Sequence, residues 1–157
     1  MAQNTEYIVK KANKRIWFLR RLKALGASIQ TLLDYYQKSV RTVLEFSAPL
    51  WTGGLTKTNI SDIERIQKRC FKIILSQNYR SYPQALEMLE QVTLEQRRNI
   101  LCKKFAKRCT RSQKMSGLFA KSKSNTRNHK MYVEPTTNTK RAGNGCVPFL
   151  TRLLNES

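Results

Sequence analysis

Residues Val43–Lys57 read VLEFSAPLWTGGLTK, and how this stretch is read decides the fold. A proline, a tryptophan and two adjacent glycines interrupt a chain whose pattern is helical on both sides. Upstream, Ile29, Leu32, Leu33, Tyr36, Val40, Val43 and Leu44 recur at helical spacing and predict a helix to about Ser47. Ser28 can cap it, because its hydroxyl can accept from a free amide of the first turn, and Pro49 ends it. Downstream, Ile63, Ile66, Cys70, Ile73 and Ile74 mark the buried side of a further helix to about Leu75, with Thr56, Thr58 or Asn59 as its cap. Asp62 and Glu64 lie early in it and Lys68, Arg69 and Lys72 late, the charge order a helix dipole favours. SAPLWTGG between the two is then a tight reversal. Gly53 and Gly54 are expected to supply positive φ, and Trp51 to cover the end of the helical core as a packing residue.

The same periodicity extends outward. Ile8 or Val9, Ala12, Ile16, Leu19 and Leu22 predict a first helix from about Thr5 to Leu25, with Lys10, Lys11, Lys14, Arg15, Arg21 and Lys23 mainly on its other side. Gly26 stops it. Pro83 can open a short helix over Ala85–Glu90. Thr93 followed by Gln96 has capping-box spacing and launches another helix through Leu94, Leu101 and Phe105 to about Cys109. Beyond Arg111, Ser, Lys, Asn, Thr and Arg dominate, with too little apolar surface to offset backbone ordering. The last apolar group, Val147, Phe149, Leu150, Leu153 and Leu154, predicts a short docking helix after Pro148. The expected fold is therefore all-α, a bundle of about five helices over residues 5–110. A basic low-complexity linker over 111–145 and a docking segment over 146–157 complete it, so the C-terminal tail is expected to be partly disordered.

The 157 residues suit one domain, and 30 Lys and Arg against 10 Asp and Glu give a net charge of +20. The last third, residues 101–157, carries 13 basic and 2 acidic residues. Such an excess favours a polyanionic partner, because neutralising phosphates releases condensed counterions. Cys70, Cys102, Cys109 and Cys146 form no C-x-x-C, and no apolar signal segment precedes them, so free thiols in a nuclear or cytoplasmic protein, not a secreted one, are expected. No apolar run is long enough for a membrane span.

Catalytic patterns are missing. The two aspartates, Asp34 and Asp62, cannot assemble a two-metal phosphoryl-transfer site. One histidine, His129, cannot supply the two that a non-haem iron site needs, lies in the polar tail far from any nucleophile elbow, and is expected to be solvated. No phosphate-binding glycine loop occurs. Neither metal, cofactor nor small-molecule substrate is expected. What remains is cationic helix carrying rings, above all KRIWFLRRLK with Arg15, Trp17, Phe18, Arg20 and Arg21, the residue types that hold phosphates or stack on bases. The charge excess recurs in QKRCFK, EQRRN and CKKFAKR, whereas Trp17 and Phe18 are more readily read as core.

KKANKRIWFLRRLKALGAS, LLDYYQKSVRTVLEFSAPLWTGGLTKTNISDIERIQKRCFKIIL, YPQALEMLEQVTLEQRR and VPFLTRLLNES, in that order, resemble the C-terminal part of reverse transcriptases of Jockey-like (LINE-class) non-LTR retrotransposons. The Pro49–Trp51 pair, the Gly54–Lys57 turn and the IERIQKRCFKIIL helix are the most specific matches. In that family this stretch follows the palm, as a helical thumb with its downstream linker. The family's activity needs paired aspartates in the palm, which are absent here, so the resemblance implies a truncated or degenerate copy that binds template and primer without catalysis of its own. It implies phosphate contacts by Lys10, Lys11, Lys14, Arg15, Arg20, Arg21, Lys68, Arg69, Arg97, Arg98, Lys103 and Lys104, and an RNA or RNA–DNA duplex as partner. The rival implication is a protein-interaction module docking onto a polymerase palm. Residues from about Tyr7 to Trp51 are also similar to a small helical domain named after the N-terminal part of an alkylated-DNA-repair (AlkB-like) homologue. Such a name would suggest methyltransferase or dioxygenase activity; the lone histidine argues against iron-dependent dioxygenase chemistry in this chain, and the label is read as inherited naming.

Overall fold

The computed structural model describes residues 2–123 and 130–156, so His129 lies outside the described residues. Helix α1 (Ala2–Ala24) buries Ile8, Ala12, Ile16 and Leu19 as one stripe. It closes in a Schellman turn, with Ala27 N–H donating to Leu22 O at 3.1 Å, Gly26 N–H to Lys23 O at 3.0 Å, and Gly26 at φ 79°. Helix α2 (Ile29–Tyr35) starts at Ser28, whose Oγ accepts from Thr31 N–H at 3.2 Å. It continues through a wide π-helical turn, Tyr36–Arg41, into α3 (Thr42–Glu45). Helix α4 (Ala48–Trp51) is a single turn, followed by a 3-10 turn, Thr52–Gly54.

Helix α5 (Lys57–Leu75) opens on a capping box between Thr56 and Asn59. Helix α6 (Tyr82–Met88) is capped by Ser81 and holds Pro83 in its first turn. Helix α7 (Leu94–Arg111) uses the Thr93–Gln96 box read from the sequence, both of its bonds being 3.2 Å. Helices α8 (Lys140–Gly143) and α9 (Cys146–Asn155) follow. The fold is all-α; among the described residues extended pairing is limited to one bridge, Lys121 with Tyr132.

The chain gathers into two compact units, Met1–Phe46 with Thr56–Arg97, and Ser47–Leu55 with Arg98–Ser157. In the first, α1 lies along α5 and packs on α2, the π turn and α3. Its core joins the α1 stripe to Leu32, Tyr36, Val40, Leu44, Ile63, Ile66, Phe71 and Ile74, with Tyr36 and Phe71 edge-to-face at 5.3 Å. Buried Gln67 is satisfied in part by donating Nε2–H to Val92 O at 3.0 Å.

The second unit clusters Cys102, Ala106, Cys109, Phe119, Tyr132, Leu150 and Leu153. Phe119 and Tyr132 are buried and meet edge-to-face at 6.3 Å, although both fall in the stretch 111–145 expected to be irregular. The Asn155 side chain brackets Tyr132, accepting from its N–H and donating to its carbonyl, both at 3.0 Å. That clamp replaces the regular ladder the stretch lacks.

The reversal differs from its expected mechanism. Positive φ is taken by Ser47, at 52°, and by neither Gly53 nor Gly54. Gly53 is required for a different reason: a Cβ there would sit 2.6 Å from Phe149 Cβ and 2.7 Å from the Asn144 carbonyl. Pro49 sits in the first turn of α4 and does not end the preceding helix, which stops at Glu45. Trp51 is a buried packing residue as expected, but it belongs to the second unit, where α4 packs on α9.

Candidate nucleic-acid interface

The face of α1 opposite its buried stripe carries Tyr7, Lys10, Lys11, Lys14, Trp17, Phe18 and Arg21, because residues three, four and seven apart share a side of a helix. From Tyr7 to Arg21 this face is about 21 Å long at 1.5 Å per residue. Its rings are open to solvent: Tyr7 is 61%, Trp17 54% and Phe18 56% exposed. The core assignment of Trp17 and Phe18 from the sequence is therefore corrected. Trp17 and Phe18 fall on the side of the helix away from the Ile8–Ala12–Ile16–Leu19 stripe, and that helical phase was the signal that could have placed them.

The cations and rings are interleaved. Arg21 stacks its guanidinium 5.3 Å from the Trp17 ring centre, Trp17 meets Phe18 edge-to-face at 4.9 Å, and Lys11 Nζ lies 5.7 Å from the Tyr7 ring. The described ion pairs of the first unit use Asp34, Glu45 and Asp62, and none takes a cation from this face. Arg20 is exposed on its flank. Arg15, on the other flank, is half-buried and donates Nη1–H to Ser39 O at 2.6 Å, so part of its guanidinium serves the fold by satisfying a carbonyl of the π turn.

Helix α5 adds two exposed cations. Arg69 Nη1 donates to Asn13 Oδ1 at 2.8 Å, which sets its charge beside Lys10 and Trp17, the helical neighbours of Asn13. Lys68 lies 4.9 Å over the Tyr82 ring.

Two of the expected phosphate contacts are structural. Arg97 forms a two-point ion pair with Glu45, its Nη2–H donating to Oε2 at 3.0 Å and its Nε–H to Oε1. The Glu45 carboxylate holds the Arg97 guanidinium above its ordinary pKa. Arg41 shares Glu45 at 3.9 Å and donates to Gln91 Oε1 at 2.9 Å, while burial and the nearby Arg97 charge lower its pKa. Arg98 is 1% exposed, one of the largest buried side chains, and is out of reach of a surface ligand. In the second unit Lys103 is half-buried and Lys104 exposed. Lys104 shares its side of α7 with exposed Lys107, Arg108 and Arg111, three cations of the CKKFAKR run and its continuation that the candidate set lacked.

Asp34, Asp62 and Glu64 are bonded within the fold. Asp34 accepts from Lys38 and Gln30, bonds that lower its carboxyl pKa, and Asp62 pairs with Arg65. The Glu64 carboxylate accepts from Tyr82 Oη–H and from Leu94 N–H at 3.2 Å, and burial, then Glu64, pushes the tyrosine pKa far up. Cys70, Cys102, Cys109 and Cys146 are free thiols, and burial raises Cys70 to about 12, so it stays protonated at neutral pH. Among the described residues no group of three His, Cys, Asp or Glu could hold a metal, and no helix is long and apolar enough to cross a membrane. No family model, curated protein or solved structure matches the chain.

Proposed function

We propose that this chain is a nucleic-acid-binding helical module without catalysis of its own, related to the thumb region of a Jockey-like retrotransposon reverse transcriptase. It grips the sugar-phosphate backbone of template and primer by shape and charge. One observation carries the reading: Lys10, Lys11, Lys14 and Arg21 share one solvent face of α1 with no described carboxylate bonded to them. Cations with no carboxylate partner on a rigid helix are free to neutralise phosphates, and the counterions condensed on the polynucleotide are released when they do. Arg69 and Lys68 extend the cationic surface on α5, and Lys104, Lys107, Arg108 and Arg111 give the second unit a basic face of its own.

Binding of the full chain to an RNA–DNA duplex, titrated between about 50 and 200 mM salt, tests this. Affinity is expected to fall steeply, and replacing Lys10, Lys11, Lys14 and Arg21 together by alanine is expected to reduce the log–log salt slope by about 3 to 4. A flat salt response, or a slope indifferent to the four substitutions, overturns it.

A further inference from the structure

We infer that the outer face of α1 takes single-stranded polynucleotide in preference to duplex, with Trp17, Phe18 and Tyr7 stacking on unpaired bases while Lys10, Lys14 and Arg21 hold the intervening phosphates; this rests on the nucleic-acid reading above and narrows its ligand. A purely electrostatic grip needs no rings. The exposed side of α7, Lys104, Lys107, Arg108 and Arg111, shows what such a face looks like. Helix α1 instead leaves more than half of each of three aromatic side chains in water, a cost that only a partner with apolar or π surface recovers.

A duplex cannot supply that surface to a convex helix, because its base faces are stacked inside and only edges and phosphates reach outward. An unpaired strand presents every base as a flat ring beside a negative charge, and the Tyr7–Lys11 and Trp17–Arg21 pairs present the complementary ring beside a positive one. The platform is also ordered before binding. Trp17 is held edge-on by Phe18 at an interplanar angle of 87° and flanked by Arg21, so little side-chain freedom is lost when a base stacks there. The rings share their side of the helix with the cations and lie opposite the buried stripe. An amphipathic helix lying in a bilayer surface separates these two classes onto opposite faces, which favours the polynucleotide over a lipid surface.

The full chain is titrated with a fluorescein-labelled single-stranded RNA, the same sequence as a duplex, and vesicles of phosphatidylserine and phosphatidylcholine. The single strand is expected to bind at least about ten-fold tighter than the duplex at equal salt. Trp17→Ala with Phe18→Ala is expected to weaken the single strand by about ten- to hundred-fold, at the 1–3 kcal/mol that stacking on one base is worth, and to leave duplex affinity and the salt slope in place. Both rings are exposed, so neither substitution removes core packing. The chain has 2 tryptophans and Trp51 is buried, so quenching of the exposed Trp17 reports stacking directly, and Trp17→Phe is expected to abolish the quench while retaining most of the affinity. Equal single-strand and duplex affinity, with the double variant binding like the parent, overturns the stacking inference and leaves the phosphate-contact reading standing. No binding to either nucleic acid, with or without capture of vesicles, overturns both.

Discussion

Two residues, each two positions past the end of its helix, occupy the same backbone region with different side chains. Gly26 ends α1 at φ 79°, and a Cβ added there would meet nothing within 4 Å, so any cost of Gly26→Ala comes from the left-handed backbone alone. The expected loss is about 1 kcal/mol, read as a lower denaturant midpoint at unchanged m-value. Glu90 closes α6 in the same way, at φ 50°, with Gln91 N–H donating to Leu86 O at 2.8 Å and Glu90 N–H to Glu87 O at 3.0 Å. Because a glutamate bears there the strain that glycine avoids, Glu90→Gly is expected to stabilise by up to about 1 kcal/mol. Opposite signs for the two substitutions identify backbone strain as the cause; equal signs would refute it. Gly26 was legible in the sequence because a glycine just past a periodic run has one common use. Ser47 and Glu90 were not, since nothing in their side chains announces positive φ, and Gly53 was marked as special for the wrong physical reason.

At the scale of elements, capping boxes and apolar stripes were readable because they are local: Ser28, Thr56 and Thr93 each bond within three residues. The π-helical turn was not, because Tyr36, Val40, Val43 and Leu44 keep an apolar spacing that an uninterrupted α-helix would also satisfy. Nor were the buried Phe119 and Tyr132, whose clamp is Asn155, 23 residues from Tyr132. The same limit divides the candidate cations, since charge and helical phase show which side of α1 faces water but not that Glu45 waits 52 residues away for Arg97. Glu45 joins the end of α3 to the start of α7 and serves two guanidiniums, Arg41 and Arg97. Glu45→Gln leaves those cations adjacent without their shared anion and is expected to cost about 2 kcal/mol, discounted from fully buried pairs because Arg97 keeps 31% side-chain exposure. Lys10→Ala, which breaks no described contact, is expected to change stability by less than about 0.5 kcal/mol while weakening nucleic-acid binding. Thermal melts and binding titrations on the two variants separate cations that hold the fold from cations that face a ligand. A Lys10→Ala variant as unstable as Glu45→Gln would contradict that division.

For the whole molecule the dominant quantity is charge. A net +20 on 157 residues, concentrated in a tail that carries 13 basic and 2 acidic side chains, repels itself, and the repulsion weakens as salt shortens the Debye length from about 30 Å at 0.01 M to about 8 Å at 0.15 M. Salt is therefore expected to raise the melting temperature of the free protein. The same salt weakens its grip on a polyanion, because releasing condensed counterions into a more concentrated solution gains less entropy. The two dependences have opposite signs, and one experiment can see both. At low salt, an RNA oligonucleotide at about 100 times its Kd is expected to stabilise the fold by about 2.7 kcal/mol. For a chain of this size that raises the melting temperature by roughly 5 to 10 °C. As salt increases, the curves with and without RNA should converge, the free protein rising to meet the complex as binding is lost. Melting temperatures that fall with salt in the free protein would mean that the acidic residues, few as they are, neutralise the surface locally, and the unpaired cationic face of α1 would lose its physical basis.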